Sequence, residues 1–510
     1  MSSSSKRRNV PTKERALVLQ GGGSLGAYEA GAYKALYELL SKRDKSDGKE
    51  TSITFDIIAG TSIGAMNAAV LTSYVIENGT YEGSAERLGD FWKYLSKESI
   101  ADTNPWFKPV WDYFHSIDRA IATGEAARRY YSAKEFAITG VPNVFSAPIP
   151  AQDRRFFDFA WNTWYRFSNE PLRKSLEKFA KFPIATSHEE NQPRLILVSV
   201  DVADGVAVTF DSYAKEDGSR KTEYGRYIRR QEDGKEIGFE HIIRYNDGIT
   251  LDHVMASGCF PVNFDYALLE VESYYQHHDA NNDLGTRSND QDGRRSNSTD
   301  TSSQTSPHRD FDGQYCKEIR HFWDGGLLTN TPLTQLVSLH RDYWYKIRGL
   351  KDKVPTLSVG VINVHPTRQT QIPTDHDGVI DRKNDIAFSD RSHRDEEILL
   401  LLSDYVDLIR DLIRIAKEAG AKDRVITDLL NQRTKYHGLS WRPRLNKEIV
   451  EGRFDIDEII RIERKNDEHT ISDKTFDFSS GTIEELLKNG FEDTLSHIKR
   501  TKESRSVKTQ

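Results

Sequence analysis

The chain has 510 residues, enough for about three average domains or for one elaborated α/β domain. Its 71 basic and 78 acidic residues leave a formal net charge of −7, which argues against a dedicated nucleic-acid-binding protein. Its two cysteines, Cys259 and Cys316, exclude a disulfide framework and a cysteine-rich zinc module, and they favour a reducing compartment.

The N-terminal segment is rich in Ser, Lys and Arg, and we predict that residues 1–13 form a disordered tail. It lacks the apolar core of a secretory signal peptide. The longest aliphatic run covers only residues 398–402, whereas a membrane-spanning helix needs about 20 residues. We therefore expect a cytoplasmic protein without membrane-spanning helices, which leaves peripheral contact with a lipid surface open.

Two strand–turn–helix units follow the tail, and they predict an α/β domain with a mainly parallel sheet. In the first unit, a short buried strand over 16–19 leads into a glycine-rich turn over 21–26 and then into an apolar helix. In the second unit, a strand over 53–58 leads through a turn at 60–64 into a helix over 65–75.

Residues 88–190 interrupt this rhythm and concentrate aromatic side chains, among them five of the eight tryptophans. These are Trp92, Trp106, Trp111, Trp161 and Trp164. Because aromatic residues usually mark packing, we interpret 88–190 as a helical insertion with its own aromatic core. The alternative is a cap that offers an apolar channel to acyl chains.

A second run of elements surrounds a long polar stretch. Residues 276–312 cannot bury enough apolar surface to offset their ordering entropy, so we predict a disordered surface insertion there. The elements predicted on either side are strands over 195–200, 206–210, 319–323 and 357–364, and helices over 250–257 and 331–343.

Residues 366–497 are predicted to form a mixed, mainly helical C-terminal extension that packs on the core. Its longest helix, over 396–419, has a wide apolar face, which is more typical of packing on a parent domain than of an interfacial membrane helix. A strand is predicted over 456–462, and a capping-box pattern at Thr482 and Glu485 predicts a further helix. We expect a frayed tail over 498–510.

The strongest chemical signal is the Gly-x-Ser-x-Gly turn formed by Gly60, Ser62 and Gly64. A serine on a sharp strand-to-helix turn exposes its hydroxyl, and the flanking glycines let the strand and the helix approach closely. The N-terminus of the helix behind the serine supplies positive potential for a developing oxyanion. The pattern therefore predicts a nucleophilic serine.

The glycine-rich turn, with Gly21, Gly23 and Gly26 at a characteristic spacing, has two interpretations. A dinucleotide-binding turn also needs an acidic residue about 20 positions further on, at the end of a second strand. Asp44 and Asp47 lie near that distance but in a polar loop. We therefore favour a turn that presents backbone N–H groups to an oxyanion.

A third element, Asp324 followed by Gly325 and Gly326, lies at a predicted strand end and can point into the same cleft. Taken alone, Asp-Gly-Gly is a common turn. A Ser-His-Asp triad is the rival arrangement, in which a histidine is the base. The candidate histidines are His253, His340 and His365.

The three motifs together, in this order, resemble the patatin-like phospholipase family over residues 14–365, with weaker support from a stretch at 256–261. The resemblance implies a three-layer α/β/α core and a Ser–Asp dyad, with Ser62 as nucleophile and Asp324 as base. It also implies an oxyanion hole made by backbone N–H groups. These belong to Gly21, Gly22, Gly23 and Ser24.

The resemblance implies a lipid acyl ester as substrate, with no cofactor and no metal ion in the catalytic step. Many family members carry Arg or Lys where this chain has Leu25, so a cation that could assist an anionic head group is absent. Two alternatives come from other classes. One is a nucleotide-dependent oxidoreductase, and the other is a lipid-binding or regulatory protein with an idle site.

Overall fold

The structure is a computed structural model that describes ten stretches of the chain. They are residues 10–48, 54–99, 124–146, 165–230, 236–278, 315–350, 354–433, 445–450, 456–465 and 471–508. Several predicted features lie outside the described residues. These are residues 1–9 of the predicted tail, Trp106, Trp111, Trp161 and Trp164 of the aromatic insertion, and residues 279–312 of the polar insertion.

The strands within the described stretches belong to one sheet. They are β1 (Lys13–Leu19), β2 (Ile57–Thr61), β3 (Arg194–Asp201), β4 (Val206–Asp211), β5 (Lys221–Arg230), β6 (Glu236–Arg244), β7 (Ala267–His278), β8 (Tyr315–Asp324), β9 (Thr356–Asn363) and β10 (Ile456–Glu463).

Helices connect and cover these strands. They are α1 (Gly26–Ser46), α2 (Ile63–Asn78), α3 (Ser84–Leu95), α4 (Gly124–Thr139), α5 (Glu170–Phe179), α6 (Leu251–Gly258), α7 (Leu333–Asp342), α8 (His376–Phe388), α9 (Ser392–Glu418), α10 (Asp423–Leu430), α11 (Asn446–Val450) and α12 (Ser480–Lys508). Short 3₁₀ turns cover Gly23–Leu25, Gly325–Leu327 and Lys474–Phe476.

The sheet has the order β10-β9-β1-β2-β3-β8-β7-β6-β5, and β4 pairs with β3 off this path. The strands from β10 to β3 pair in parallel, and the remaining pairs are antiparallel. The predicted α/β fold with parallel strands around the two glycine turns is confirmed. The antiparallel strands β5, β6 and β7 were not predicted from the sequence.

Both faces of the sheet are covered by helices, as the central strand β1 shows. Successive side chains of a strand point to opposite faces. Leu17 and Leu19 belong to a core shared with α1, α2, α3, α6 and α12. Ala16 and Val18 belong to a second core shared with α7 and α9. The predicted three-layer α/β/α arrangement is therefore confirmed.

The C-terminal extension differs in part from the expectation. Helix α9 buries Leu399 and Val406 but leaves Leu402 46% exposed, so its predicted packing holds for only part of its apolar face. The predicted frayed tail is wrong up to Lys508, because α12 continues to that residue. None of the described helices is long and apolar enough to span a bilayer.

Predicted boundaries also shift. The strand predicted over 53–58 is β2, which covers Ile57–Thr61. Lys13, placed in the N-terminal tail, is the first residue of β1 and pairs with Thr356 of β9. The polar insertion was predicted to begin at 276, yet β7 continues to His278, where it pairs with Glu236 of β6. At Lys13 and at His278, backbone pairing to a neighbouring strand orders residues whose polarity alone predicts disorder.

Candidate active site

Ser62 lies on the turn between β2 and α2 in a strained backbone conformation, with φ of 56° and ψ of −126°. A positive φ is rare for a residue other than glycine and marks sharp turns that expose a side chain. The flanking glycines are required by packing. A Cβ on Gly60 would lie 2.3 Å from the Gly64 carbonyl oxygen, and a Cβ on Gly64 would lie 2.5 Å from the Leu19 carbonyl oxygen.

The turn is held in place by Ser257 of α6, a residue to which the sequence assigned no role. The Ser62 N–H donates to the Ser257 Oγ over 2.9 Å. The Ser257 hydroxyl in turn donates to the Val198 carbonyl of β3 over 2.6 Å. The serine turn is thereby fixed to the sheet, and the backbone N–H of Ser62 is already used.

Strand register brings Asp324 to the level of Ser62. Thr61 pairs with Val198 between β2 and β3, and Ser199 pairs with Asp324 between β3 and β8. Ser62 and Asp324 therefore lie at the same height, with one strand between them. A Cβ on Gly325 would lie 2.3 Å from the Val198 carbonyl oxygen, so glycine lets the chain pass close to β3.

The Asp324 side chain is 1% exposed, and its Oδ1 accepts a 2.7 Å hydrogen bond from the Gly326 N–H. Burial raises the pKa of Asp324 to about 7, and hydrogen bonds with Ser62 and Gly326 act against this rise. Desolvation has this sign because it disfavours the charged carboxylate. The carboxyl group is therefore poised to gain or lose a proton near neutral pH.

The glycine-rich loop, defined as residues 21–26, lies directly beside the serine turn. A Cβ on Gly21 would lie 2.9 Å from the Ser62 Cβ. The Gly21 N–H donates to the Asn330 Oδ1 over 3.1 Å, and the Asn330 amide donates back to the Gly21 carbonyl over 3.2 Å. Because this N–H is occupied, Gly21 does not fit the predicted set of oxyanion donors.

The other three predicted oxyanion donors differ from Gly21 in their hydrogen bonding. Within the described part of the chain, the backbone N–H groups of Gly22, Gly23 and Ser24 have no hydrogen-bond partner. Leu25 is only 2% exposed, so this side chain is buried in the core. The loop thus carries three backbone amides without a partner among the described residues and no cationic side chain at position 25.

The C-terminal extension contacts the loop from the other side, which the sequence did not predict. The Ser24 hydroxyl donates to the Lys474 carbonyl over 2.7 Å, and a Cβ on Gly23 would lie 2.5 Å from the Thr475 carbonyl oxygen. The buried Lys474 ammonium pairs with Asp381 at 2.8 Å and with Asp385 at 2.7 Å. A buried ion cluster therefore fixes the segment that supports the loop.

The three candidate histidines have partners away from the Ser62–Asp324 pair. His253 caps its own helix through Thr250, and burial lowers its pKa to about 4. His340 pairs with Glu14 at 3.0 Å, and His365 pairs through Nδ1 with Asp385 at 3.0 Å. His365 is nearest to the glycine-rich loop, since its Nε2 would lie 3.4 Å from a Cβ on Gly22.

No cluster of three or more His, Cys, Asp or Glu side chains that could hold a metal ion occurs among the described residues. The described site contains a serine hydroxyl, a buried carboxyl group and backbone amides.

The sheet with helices on both faces and the serine on a strand-to-helix turn together define a class of protein. This class is an α/β domain of the hydrolase type. The model of the patatin-like phospholipase family matches residues 17–337, well over half of the chain. The chain therefore belongs to the patatin-like phospholipase family, a family of lipid hydrolases.

Two further comparisons add little to this assignment. A crystal structure of VipD from Legionella pneumophila shares 13% sequence identity and has a TM-score of 0.27, over 96% of this chain and 67% of the VipD chain. This similarity is too weak to support an argument about the fold or the function. A search of curated proteins found no match to the sequence.

Proposed function

We propose that this protein is a serine lipid acyl hydrolase, which cleaves carboxylic esters of lipids, phospholipids included, through an acyl-enzyme on Ser62. The observation that carries the proposal is the buried carboxyl group of Asp324, level with Ser62, with its pKa raised to about 7. A general base works best when its pKa lies near the working pH, because it is then deprotonated yet still basic. Family membership supports the substrate class.

In the proposed reaction, Asp324 accepts the hydroxyl proton while the Ser62 Oγ bonds to the ester carbonyl carbon. The free N–H groups of Gly22, Gly23 and Ser24 donate to the oxyanion that forms. The C–O bond of the ester then breaks, and the alcohol leaves with the proton held by Asp324. Water, deprotonated by Asp324, next attacks the acyl-enzyme, which releases the fatty acid and restores the Ser62 hydroxyl.

An exposed apolar surface next to Asp324 in the sequence supports the proposal that the enzyme takes its lipid substrate from a membrane. Leu327 and Leu328 follow the Asp-Gly-Gly turn directly and are 38% and 55% exposed. We expect Leu328→Asp to lower hydrolysis of lipids in vesicles and to leave hydrolysis of a short soluble ester near the wild-type rate. An equal loss on both substrates would contradict peripheral membrane contact through this surface.

A fluorophosphonate probe tests the nucleophile, because it forms a covalent bond only with an activated serine. Wild-type protein should be labelled, and Ser62→Ala should lose labelling and the release of fatty acid, detected by mass spectrometry, while its melting curve stays unchanged. Ser46→Ala, at an exposed serine at the end of α1, is the matched control and should label like wild type. Unlabelled but folded wild-type protein would instead favour an idle site.

The same assay separates the dyad from a triad. Asp324→Asn should be nearly as inactive as Ser62→Ala, since asparagine cannot accept the proton. His365→Gln is the sharpest test of a triad, because His365 lies nearest to the glycine-rich loop. If that variant melts like wild type and is as inactive as Ser62→Ala, a histidine is the base and the dyad is wrong.

A further inference from the structure

A cavity of about 520 Å³ lies apart from the serine site. It is lined by residues that follow β9, by the end of β10 and by the C-terminal half of α12. Its volume falls in the range of about 300 to 1,000 Å³ that is usual for small-molecule sites. In the sheet order, β10 and β9 lie on the far side of β1 from β2, which carries Ser62.

The lining of this cavity is strongly basic. Its lining residues include five cationic and two anionic ones. The cations are those of Arg368, Arg461, Arg464, Lys465 and Arg500. His497 also lines the cavity, and burial together with the neighbouring Arg500 lowers its pKa, which is the direction expected in positive surroundings.

The two carboxylates of the lining already have partners. Asp493 pairs with Lys465 and accepts a 3.2 Å hydrogen bond from the Tyr28 hydroxyl. Glu463 accepts a hydrogen bond from the Thr367 hydroxyl. Asp493 therefore offsets the charge of Lys465.

Arg461 is paired outside the lining with Asp390 and Glu396. Among the described residues, Arg368 and Arg464 are lining cations that take part in no ion pair.

Arg464 is the residue that points to a ligand. Its side chain is 94% buried, since the residue is only 6% exposed, and it lines the cavity. Within the described residues, its Nη1 has no hydrogen-bond partner. Burying an unpaired guanidinium nitrogen is unfavourable, so a protein retains one where a ligand supplies the missing acceptor.

We infer that this cavity is a binding site for a phosphate monoester, with Arg464 as its principal donor. A planar guanidinium group presents paired N–H donors that match two phosphate oxygens, and a phosphate dianion supplies the negative charge that Arg368 and Arg464 lack. The volume leaves room for the alcohol that carries the phosphate, which is either a soluble ester or a lipid head group. The inference does not depend on hydrolysis at Ser62.

Binding is tested on the full-length protein by calorimetric titration with inorganic phosphate and with glycerol phosphate, at constant ionic strength in chloride. Vesicle sedimentation, with phosphatidylcholine alone and with added phosphatidic acid, tests the lipid source. We expect Arg464→Gln to weaken binding of the phosphate ester about 10- to 100-fold, as for loss of a charge-assisted hydrogen bond. The matched control is Arg424→Gln, at an exposed arginine of α10, and it should bind like wild type.

A second variant keeps the test decisive if Arg464→Gln does not fold. Arg368 is exposed at the cavity rim, so Arg368→Gln should fold normally and weaken binding about two- to fivefold. Binding of glycerol phosphate that depends on Arg464 supports a soluble ester, and Arg464-dependent binding to phosphatidic acid vesicles alone supports a lipid head group. The inference is overturned if no phosphate probe binds, or if the arginine variants bind as tightly as wild type.

Discussion

The Asp324 carboxyl group is almost fully buried. Apart from burial, its pKa is affected by hydrogen bonds with Ser62 and Gly326. Burial without a paired cation favours the neutral acid, which is why its pKa is raised to about 7. Burying the charged form of this carboxyl group lowers the stability of the folded state, whereas the raised pKa favours proton transfer from Ser62.

We predict that kcat/KM for a short-chain ester rises with pH up to about 7 and then levels off, because only deprotonated Asp324 can accept the Ser62 proton. Stability should change in the opposite direction. Folding raises the pKa of Asp324 above its unfolded value of about 3.9, so the group favours the folded state at low pH. This contribution is lost as the pH rises through about 7.

Thermal melts of Asp324→Asn check the stability effect. The variant should gain melting temperature relative to wild type as the pH increases from about 4 to 8, because asparagine carries no buried charge. Asp428→Asn, at an exposed aspartate of α10, should show no such trend. A difference for Asp324→Asn that is constant or shrinks with pH would show that the pKa is not raised.

At the scale of the elements, the glycine-rich loop is held in place by residues that are distant in the sequence. Its turn was predicted from the glycine spacing, which is a local signal. Its supports were not predictable, because Gly21 and Asn330 are 309 positions apart and Ser24 and Lys474 are 450 positions apart. A single hydrogen bond between distant residues leaves no periodic pattern in a sequence.

Gly23→Ala tests how tightly the loop is enclosed. Gly23 has a φ of 58°, and an added Cβ would lie 2.5 Å from the Thr475 carbonyl oxygen. We expect the variant to stay folded, to lose most esterase activity, and to keep Ser62 in place, because the loop must move to relieve the clash.

The matched control is Gly205→Ala. Gly205 has a similar φ of 63°, but nothing lies within 4 Å of an added Cβ. It should suffer only the backbone cost of about 1 to 2 kcal/mol and keep its activity. Equal activities of the two variants, measured with a soluble ester, would mean that the position of the loop does not matter for catalysis.

Strands β5 and β6 were not predicted from the sequence, because their pairing is irregular. Their register shifts between Tyr224 and Tyr227, so the alternation of apolar and polar residues that identifies a half-buried strand is interrupted. The parallel strands β1 and β3 were predicted because their buried parts read as continuous apolar runs. Strand β2 was predicted over 53–58, but it covers Ile57–Thr61. The glycine-rich loop and Ser62 follow β1 and β2, whereas Asp324 ends the antiparallel strand β8 and was named from its Asp-Gly-Gly motif.

At the scale of the whole molecule, the segment that matches the family model leaves out elements that pack on its central strand and on its first helix. Residues 17–337 exclude β9, which pairs along the full length of β1, and exclude β10 beyond it. They also exclude α12, which packs closely on α1. A Cβ on Gly31 would lie 1.9 Å from the Leu487 carbonyl oxygen, and one on Gly490 would lie 2.0 Å from the Tyr28 carbonyl oxygen.

We therefore predict that a chain ending at Val337 does not fold on its own. Without β9, the buried strand β1 becomes an unpaired edge, and without α12 the apolar face of α1 is uncovered. Uncovering one large apolar side chain costs about 1.5–3 kcal/mol. The loss of several such contacts is comparable with the roughly 5–15 kcal/mol by which a whole domain is stable. The truncated chain should be insoluble or lack a cooperative melting transition, whereas a control chain ending at Glu503 should melt like wild type. A soluble Val337 chain with a sharp transition would mean that the C-terminal extension only covers a domain that is already stable.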